Sequence, residues 1–265
     1  AALPGTAAAA PAAAPAEAVI DAPSRFQPRV DEVFVAGEQG FLHREEGRSV
    51  EYTEYATGTT RKAENATWWN GTLGAWWSSS ARTLELRPME GEAPSVTIAL
   101  PEKQTWQRGH NASTVLTTSR ETGGLTVMHL LRGVADGSVT DQEIPLGAGE
   151  SFVNVLDQTH EAAVIGVRGA DAVKRAFLLD YATGTTTPLF AGLPSPGRVT
   201  LTDRYVAGWE PSSPEVLTLD RRDLDAPVVR TVVPGPVKTT TRHQMALELS
   251  GDQLLVVHQE AQPDH

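Results

Sequence analysis

The chain has 265 residues, 33 of them acidic and 22 basic, for a formal net charge of −11, and it contains no cysteine. The length suits a single all-β domain, the acidic balance repels phosphate backbones and excludes a general nucleic-acid footprint, and the missing thiol excludes disulfides, thiolate catalysis and thiolate metal sites together. No apolar run reaches the about eighteen residues that a membrane helix needs, so no membrane insertion is expected.

Residues 1–24 open the chain as an Ala/Pro-rich tether: from Ala1 to Ala16 almost every residue is Ala or Pro, and the first charge is Glu17. Such a stretch buries too little apolar surface to fold alone. A start without Met followed by an Ala/Pro tether is the usual setting downstream of a cleaved export signal, so a secreted, extracellular protein is expected. Residues 25–265 then read as short strand-like runs separated by polar turns, the pattern of an all-β domain.

The first strong phrase is Glu54-Tyr55-Ala56-Thr57-Gly58-Thr59-Thr60, which returns as Asp180-Tyr181-Ala182-Thr183-Gly184-Thr185-Thr186. An acidic residue closing a strand, a Gly where positive φ is needed and a Thr restarting the next strand make a hairpin signal. The two copies stand 126 positions apart, three intervals of 42. A period of about forty residues is typical of four-stranded propeller blades.

Two kinds of turn alternate along the chain at that period. The first kind falls at 45–47, 78–80, 122–124, 169–171 and 211–213; the second follows at 56–58, 89–91, 135–137, 182–184 and 222–225, always 11 to 13 residues later. One strand of constant length therefore separates them, five times over. Each unit then has an inner strand (33–35, 199–201), a second (74–77, 205–209), a third (84–86, 125–131, 176–179, 216–219) and a fourth (96–100, 228–233). The run Ala170 to Leu179 has helical propensity, but the flanking Gly169 and the Tyr-Ala-Thr-Gly turn leave room only for a hairpin. Near the end, 245–249 and 254–257 look like the first two strands of a sixth unit. The expectation is a β-propeller of four-stranded blades, five to six in number, whose ring is incomplete and whose last blade is truncated; a segment such as Ala18 to Ile20 completing that blade is the other arrangement considered.

Arg29-Val30-Asp31 leading into a strand with Ala36-Gly37, the two Tyr-Ala-Thr-Gly phrases, and His129-Leu130-Leu131-Arg132-Gly133-Val134-Ala135-Asp136-Gly137 together resemble the N-terminal propeller-like region of secreted actinobacterial repeat proteins. In that group the region often precedes calcium-binding FG-GAP repeats. The resemblance implies a propeller and an extracellular role. The chain departs from the calcium-binding pattern, because it has no Asp-x-Asp-x-Asp-Gly loop, and from WD repeats, because it has no Gly-His and Trp-Asp pair.

Aromatic residues provide the best binding candidates. Trp68-Trp69, Trp76-Trp77 and Trp106 are an unusual concentration, and Trp faces stack on flat ligands such as sugar rings, although on strands they equally fill the space between blades. Trp76 and Trp77 fall on a second strand and are assigned to packing; Trp68 and Trp69 are placed in a loop between units and, with Trp106 and His110, form the ligand-binding set. Asp220, Asp223 and Asp225 gather on one turn but lack the Gly and the terminal Glu of a calcium loop, and Arg221 and Arg222 neutralise them, so no metal site is assigned. No pair of His has metal-ligand spacing, and His129 in a strand stands alone. Gly-x-Ser-x-Gly, phosphate-loop and dinucleotide patterns are absent, and the pairs Glu45/Glu46 and Glu90/Glu92 sit on turns, so no catalytic residue and no cofactor is assigned. Asn65, Asn70 and Asn111 begin Asn-x-Ser/Thr triplets that a host with the machinery would glycosylate.

The reading that follows is a secreted, non-enzymatic propeller that binds an extracellular protein or glycan. Two others stay open: a propeller-fold polysaccharide lyase or glycoside hydrolase whose acids converge only in three dimensions, and a factor engaging an extracellular protease or crosslinking enzyme through Gln39, Gln259 and Gln262.

Overall fold

The computed structural model describes residues 30–36, 39–45, 50–63, 68–121, 124–190, 193, 195–209, 215–232, 244–250 and 253–259. The expected tether at 1–24, Asn65 and Gln262 lie outside them. All regular elements among the described residues are strands, grouped into five four-stranded antiparallel sheets and one two-stranded sheet.

Each sheet is a meander of consecutive strands. The first blade is β1 (Val30–Ala36), β2 (Gly40–Glu45), β3 (Val50–Glu54) and β4 (Thr60–Lys62); the second is β5 (Trp68–Asn70), β6 (Leu73–Ser78), β7 (Thr83–Pro88) and β8 (Val96–Ala99). The third is β9 (Thr105–His110), β10 (Thr114–Arg120), β11 (Thr126–Arg132) and β12 (Thr140–Ile144). The fourth is β13 (Ser151–Gln158), β14 (Ala162–Arg168), β15 (Lys174–Asp180) and β16 (Thr186–Pro188). The fifth is β17 (Arg198–Leu201), β18 (Tyr205–Trp209), β19 (Glu215–Asp220) and β20 (Val229–Val232), and β21 (Gln244–Ser250) pairs with β22 (Gln253–Gln259) as a further hairpin. First strands meet first strands: β1 meets β5, β13 meets β9 and β17, and β17 meets β21. The molecule is a five-bladed β-propeller with the start of another sheet beside the fifth blade.

The period-2 alternation of each strand explains how the blades stack. In β14, Ala163, Ile165 and Val167 join Leu116, Met128 and Leu130 of the third blade, while Ala162 and Val164 join Leu201, Val206 and Leu219 of the fifth. A middle strand faces a neighbouring blade on both sides, which is why residues 162–167 are buried without a break. The other two interfaces follow the same rule. Leu42, Val50 and Tyr52 pack on Met89 and Trp69 between the first and second blades, and Leu84, Leu86 and Ile98 pack on Trp106, Val115 and Leu131 between the second and third. Each fully buried Leu or Ile contributes about 1.5–3 kcal/mol by leaving water.

The repeated phrase builds one turn twice. Glu54 N donates to Thr59 O (3.0 Å) and Gly58 N to Glu54 O (2.9 Å); Asp180 N donates to Thr185 O (3.0 Å) and Gly184 N to Asp180 O (2.8 Å). Both glycines are left-handed, with φ of 66° and 75°. Gly91 and Gly137 occupy the same place in the second and third blades, at φ of 70° and 76°, so four of the five outer hairpins turn on a residue without a Cβ penalty. The ambiguous run before Leu179 forms the turn at 169–173 and β15, a hairpin as its flanking glycines require.

Candidate functional site

The aromatic set expected to bind ligand is largely internal. Trp68 and Trp69 are not in a loop: they form β5, the first strand of the second blade, because Asn70-Gly71 turns the chain straight into β6 with Gly71 at φ 55°. Trp69 meets Trp76 edge-on at 5.6 Å, and the Arg108 guanidinium lies 5.0 Å from the centre of the Trp68 ring. Trp106 is 6% exposed within the core between the second and third blades. His110 ends β9 and is completely buried. Its Nδ1 faces Arg108 O (3.2 Å), its Nε2 faces Leu73 O (3.4 Å), and burial pulls its pKa down to about 4.

The chain around His110 fastens neighbouring blades together. Asn70 Nδ2 donates to His110 O (2.5 Å) and to Thr159 O (2.9 Å), joining the second, third and fourth blades. His110 N donates to Gln158 Oε1 (3.0 Å), and Asp157 Oδ2 accepts from Leu201 N (2.7 Å) in the fifth blade. Asn70 is 9% exposed, so its glycan triplet is closed to modification once the chain has folded.

A second polar row crosses the third blade, and its members gave no joint signal in the sequence. Ser119 Oγ lies 2.8 Å from His129 Nε2, and His129 Nδ1 lies 3.0 Å from Asp141 Oδ1. Those distances match a hydroxyl–imidazole–carboxylate relay. The row continues inward, however: Gln104 Nε2 donates to Asp141 Oδ2 (2.5 Å), and Thr117 Oγ1 donates to Gln104 Oε1 (2.6 Å). The His129 side chain is only 13% exposed, and neither cavity described below is lined by these residues. The row ties the link between the second and third blades to β10, β11 and β12. The three residues sit on three successive strands at spacings of 10 and 12, and only the cross-strand register brings them together. A similar row in the first blade runs from His43 Nε2 to Thr53 Oγ1 (2.8 Å) and on to Thr60 Oγ1 (2.8 Å).

Of the acidic pairs and clusters, Glu90 and Asp220 act as caps, and Glu46 lies outside the described residues. Glu90 Oε1 accepts from Gln39 N (2.9 Å), Gly40 N (3.2 Å) and Tyr52 Oη (3.3 Å), closing the second blade onto the first. Asp220 Oδ1 accepts from Arg222 N (2.9 Å), a bond that lowers its pKa, with Arg204 Nε 3.3 Å from Oδ2. Among the described residues no group of three His, Cys, Asp or Glu could hold a metal ion, and no helix is long and apolar enough to cross a membrane.

Among the described residues, two cavities open on the rim that carries the first-to-second and third-to-fourth strand turns. One, of about 330 Å³, lies between the first and second blades and is lined by residues including Gln39, Tyr52, Glu54, Arg61 and Glu92. The other, of about 470 Å³, lies between the third and fourth and is lined by Asn111, Ser113, Thr114, Arg132, Gly133, His160, Glu161, Asp180, Tyr181 and Ala182. In each, an arginine of the earlier blade donates to a backbone carbonyl of the next: Arg61 to Met89 O and Arg132 to Ala182 O.

The larger cavity is built by turn chemistry. Asn111 Oδ1 accepts from Ser113 N (2.9 Å), while its Nδ2 donates across the interface to His160 O (2.7 Å). Asp180 Oδ1 accepts from Thr183 N (2.7 Å) and Thr183 Oγ1 (2.9 Å). His160 is 71% exposed, 3.7 Å from Glu161 and 4.0 Å from Asp203, and Arg221 Nη2 reaches Glu161 at 3.7 Å. Only Nη1 of Arg132 is engaged; Nε and Nη2 are buried without a hydrogen-bond partner.

No known family model matches the chain, and no curated protein matches it. Solved structures do. The chain is similar to a prolyl endopeptidase at 12% identity and a TM-score of 0.49, covering 86% of this chain and 38% of that one. It is also similar to the oligogalacturonate lyase of Vibrio parahaemolyticus (10% identity, TM-score 0.43, 74% of this chain and 64% of that). TolB of Acinetobacter baumannii is a third (12% identity, TM-score 0.37, 69% and 49%). The chain thus spans less than two thirds of each of these structures, and the likenesses carry no argument about activity.

Proposed function

We propose that this chain is a binding module of a secreted protein, holding an extracellular glycan or protein on the turn-bearing rim of the propeller. The observation that carries this reading is the cavity of about 470 Å³ between the third and fourth blades. Its volume falls in the range of about 300–1,000 Å³ usual for ligand sites. Amide, hydroxyl, imidazole, carboxylate and guanidinium groups from four different turns converge on it, and scaffolded turns are where binding groups collect. Extracellular placement rests on the Ala/Pro-rich 1–24 stretch.

The test is binding of an array of polysaccharide fragments and purified extracellular proteins to the chain. Wild type is compared with the Asn111→Ala, His160→Ala double variant and with Ser79→Ala, Ser80→Ala on the opposite rim. Binding lost only in the first variant supports the reading; binding unchanged in both, or no binding at all, ends it.

One observation favours a second reading, a propeller-fold polysaccharide lyase or glycoside hydrolase: Glu161 and Asp180 line the same cavity, and glycosidases act through two facing carboxylates. Release of shortened chains from a bound polysaccharide, abolished by Glu161→Gln, would replace binding with catalysis.

A further inference from the structure

The middle hairpin of the fourth blade sets two cations side by side with no acid between them. Arg168, the last residue of β14, is the cross-strand partner of Lys174, the first of β15. Both fall on the face of the sheet that Ala162 and Val164 turn to the fifth blade. Like charges directly opposite each other on a sheet are unfavourable. The acid of this turn does not relieve them. Asp171 Oδ1 accepts from Val173 N (3.1 Å) and Arg175 Nη1 (3.0 Å), its Oδ2 accepts from Arg175 Nη2, and Arg175 projects from the other face of β15. Among the described residues neither Lys174 Nζ nor the Arg168 guanidinium has a hydrogen-bond or carboxylate partner.

We propose that Lys174 is a modification site for carbon dioxide, taken up as a carbamate that Arg168 holds. Gly166 makes the recess in which the amine lies: a Cβ there would run into Lys174 Cε and stand 3.2 Å from Nζ. Lys174 is half-buried, yet Nζ is not closed off from solvent. Burial and the Arg168 charge together hold its pKa below the ordinary 10.5, which enlarges the neutral fraction that attacks carbon. The Nζ lone pair forms the N–C bond, one C–O π pair of carbon dioxide moves onto oxygen, and the proton lost from nitrogen goes to solvent; nothing is oxidised or reduced. The product turns a cation–cation contact into a guanidinium–carboxylate pair, the partnership Arg matches best. The reagent is neutral, so the net charge of −11 does not repel it as it would a free oxyanion. The site is on the rim opposite the cavity between the third and fourth blades and does not depend on the binding reading.

The full chain is equilibrated with isotope-labelled bicarbonate at about pH 8, near the ordinary pKa of an α-amine, trapped with triethyloxonium ion, digested and mapped by mass spectrometry. Its lysines are Lys62, Lys103, Lys174 and Lys238. The trapped adduct is expected on Lys174 at least about tenfold above the others, with the Ala1 α-amine as positive control. Unfolding the chain in urea should erase that preference. Arg168→Gln should lower the Lys174 adduct more than it slows acetylation of the same amine by acetic anhydride, because acetylation leaves no anion for the guanidinium to hold. Equal adduct on all the lysines, or a preference that survives urea, overturns the site. Equal losses of carbamate and of acetylation in Arg168→Gln overturn Arg168 as the group that holds it. Should Arg168→Gln fail to fold, the side-chain Nε–H resonance of Arg168 decides: it shifts under carbon dioxide in the wild type and not in Lys174→Arg, or the proposal is wrong.

Discussion

The Tyr181 hydroxyl donates to Gln158 Oε1 at 2.8 Å, and the same oxygen accepts from His110 N at 3.0 Å, so one amide side chain joins β13 and the turn after β15 in the fourth blade to the end of β9 in the third. Gln158 Nε2 completes the joint by donating to Arg108 O at 3.1 Å. Tyr181→Phe removes one donor and leaves Gln158 Oε1 its other, so it should cost about 1 kcal/mol. Gln158→Leu strands His110 N–H and the Tyr181 hydroxyl together, at about 1–3 kcal/mol each. Urea unfolding of both variants should therefore rank Gln158→Leu clearly below Tyr181→Phe; equal losses would mean that Gln158 is not the joint.

His110 gives stability a pH dependence of known sign. Its pKa is about 4 in the folded chain, lowered by burial, against an ordinary value of 6.5. Between those values the unfolded chain binds more protons, so stability rises with pH across the window, is complete above pH 6.5 and is lost as pH falls toward 4. The contribution is about 3 kcal/mol at most. Unfolding midpoints of wild type and His110→Gln between pH 4 and 7 should converge on the acid side; parallel curves would show that His110 does not titrate in this way.

Much of the architecture could be read in the sequence because its signals are local. A left-handed Gly in a short turn after a strand needs no distant partner, so the outer hairpins at Gly58 and Gly184 are legible as a repeated phrase and those at Gly91 and Gly137 as Gly-bearing turns at the same period. Trp68 and Trp69 were misplaced because a three-residue strand is too short to show alternation, although Asn70-Gly71 was a hairpin signal for it. The cavity was not readable. Asn111, Arg132, His160 and Asp180 lie one or two turns apart in a chain whose blades bring every such turn to one rim, and whether an Arg edge is spent or free depends on packing that no spacing encodes.

The two copies of the repeated turn provide a matched experiment on what a glycine is for. A Cβ at Gly58 would meet nothing within 4 Å, whereas at Gly184 it would press Gln142 Nε2 at 2.7 Å and Ile144 Cδ1 at 2.9 Å. Gly58→Ala should lose only the left-handed penalty of about 1–2 kcal/mol. Gly184→Ala should lose that and an overpacking term of about 1–3 kcal/mol, because Ile144 belongs to the core between the third and fourth blades. Thermal unfolding of the pair isolates the second term, and identical shifts would refute the steric difference.

The row from Ser119 through His129 and Asp141 to Gln104 and Thr117 should behave as one unit in double-mutant cycles. Ser119→Ala and Asp141→Asn touch His129 from opposite ends, at Nε2 and Nδ1. Loss of Ser119 releases the ring to rotate. Asp141→Asn weakens the acceptor that fixes its tautomer and also disturbs Gln104, whose other end holds Thr117. Because each change degrades the geometry on which the other contact depends, the second should cost less than the first, with a coupling energy of about 0.5–3 kcal/mol. Independent local contacts would instead add to within about 0.5 kcal/mol. Additivity would reduce the row to separate bonds; coupling would establish that the link entering the third blade is held to β10, β11 and β12 by one continuous polar tie.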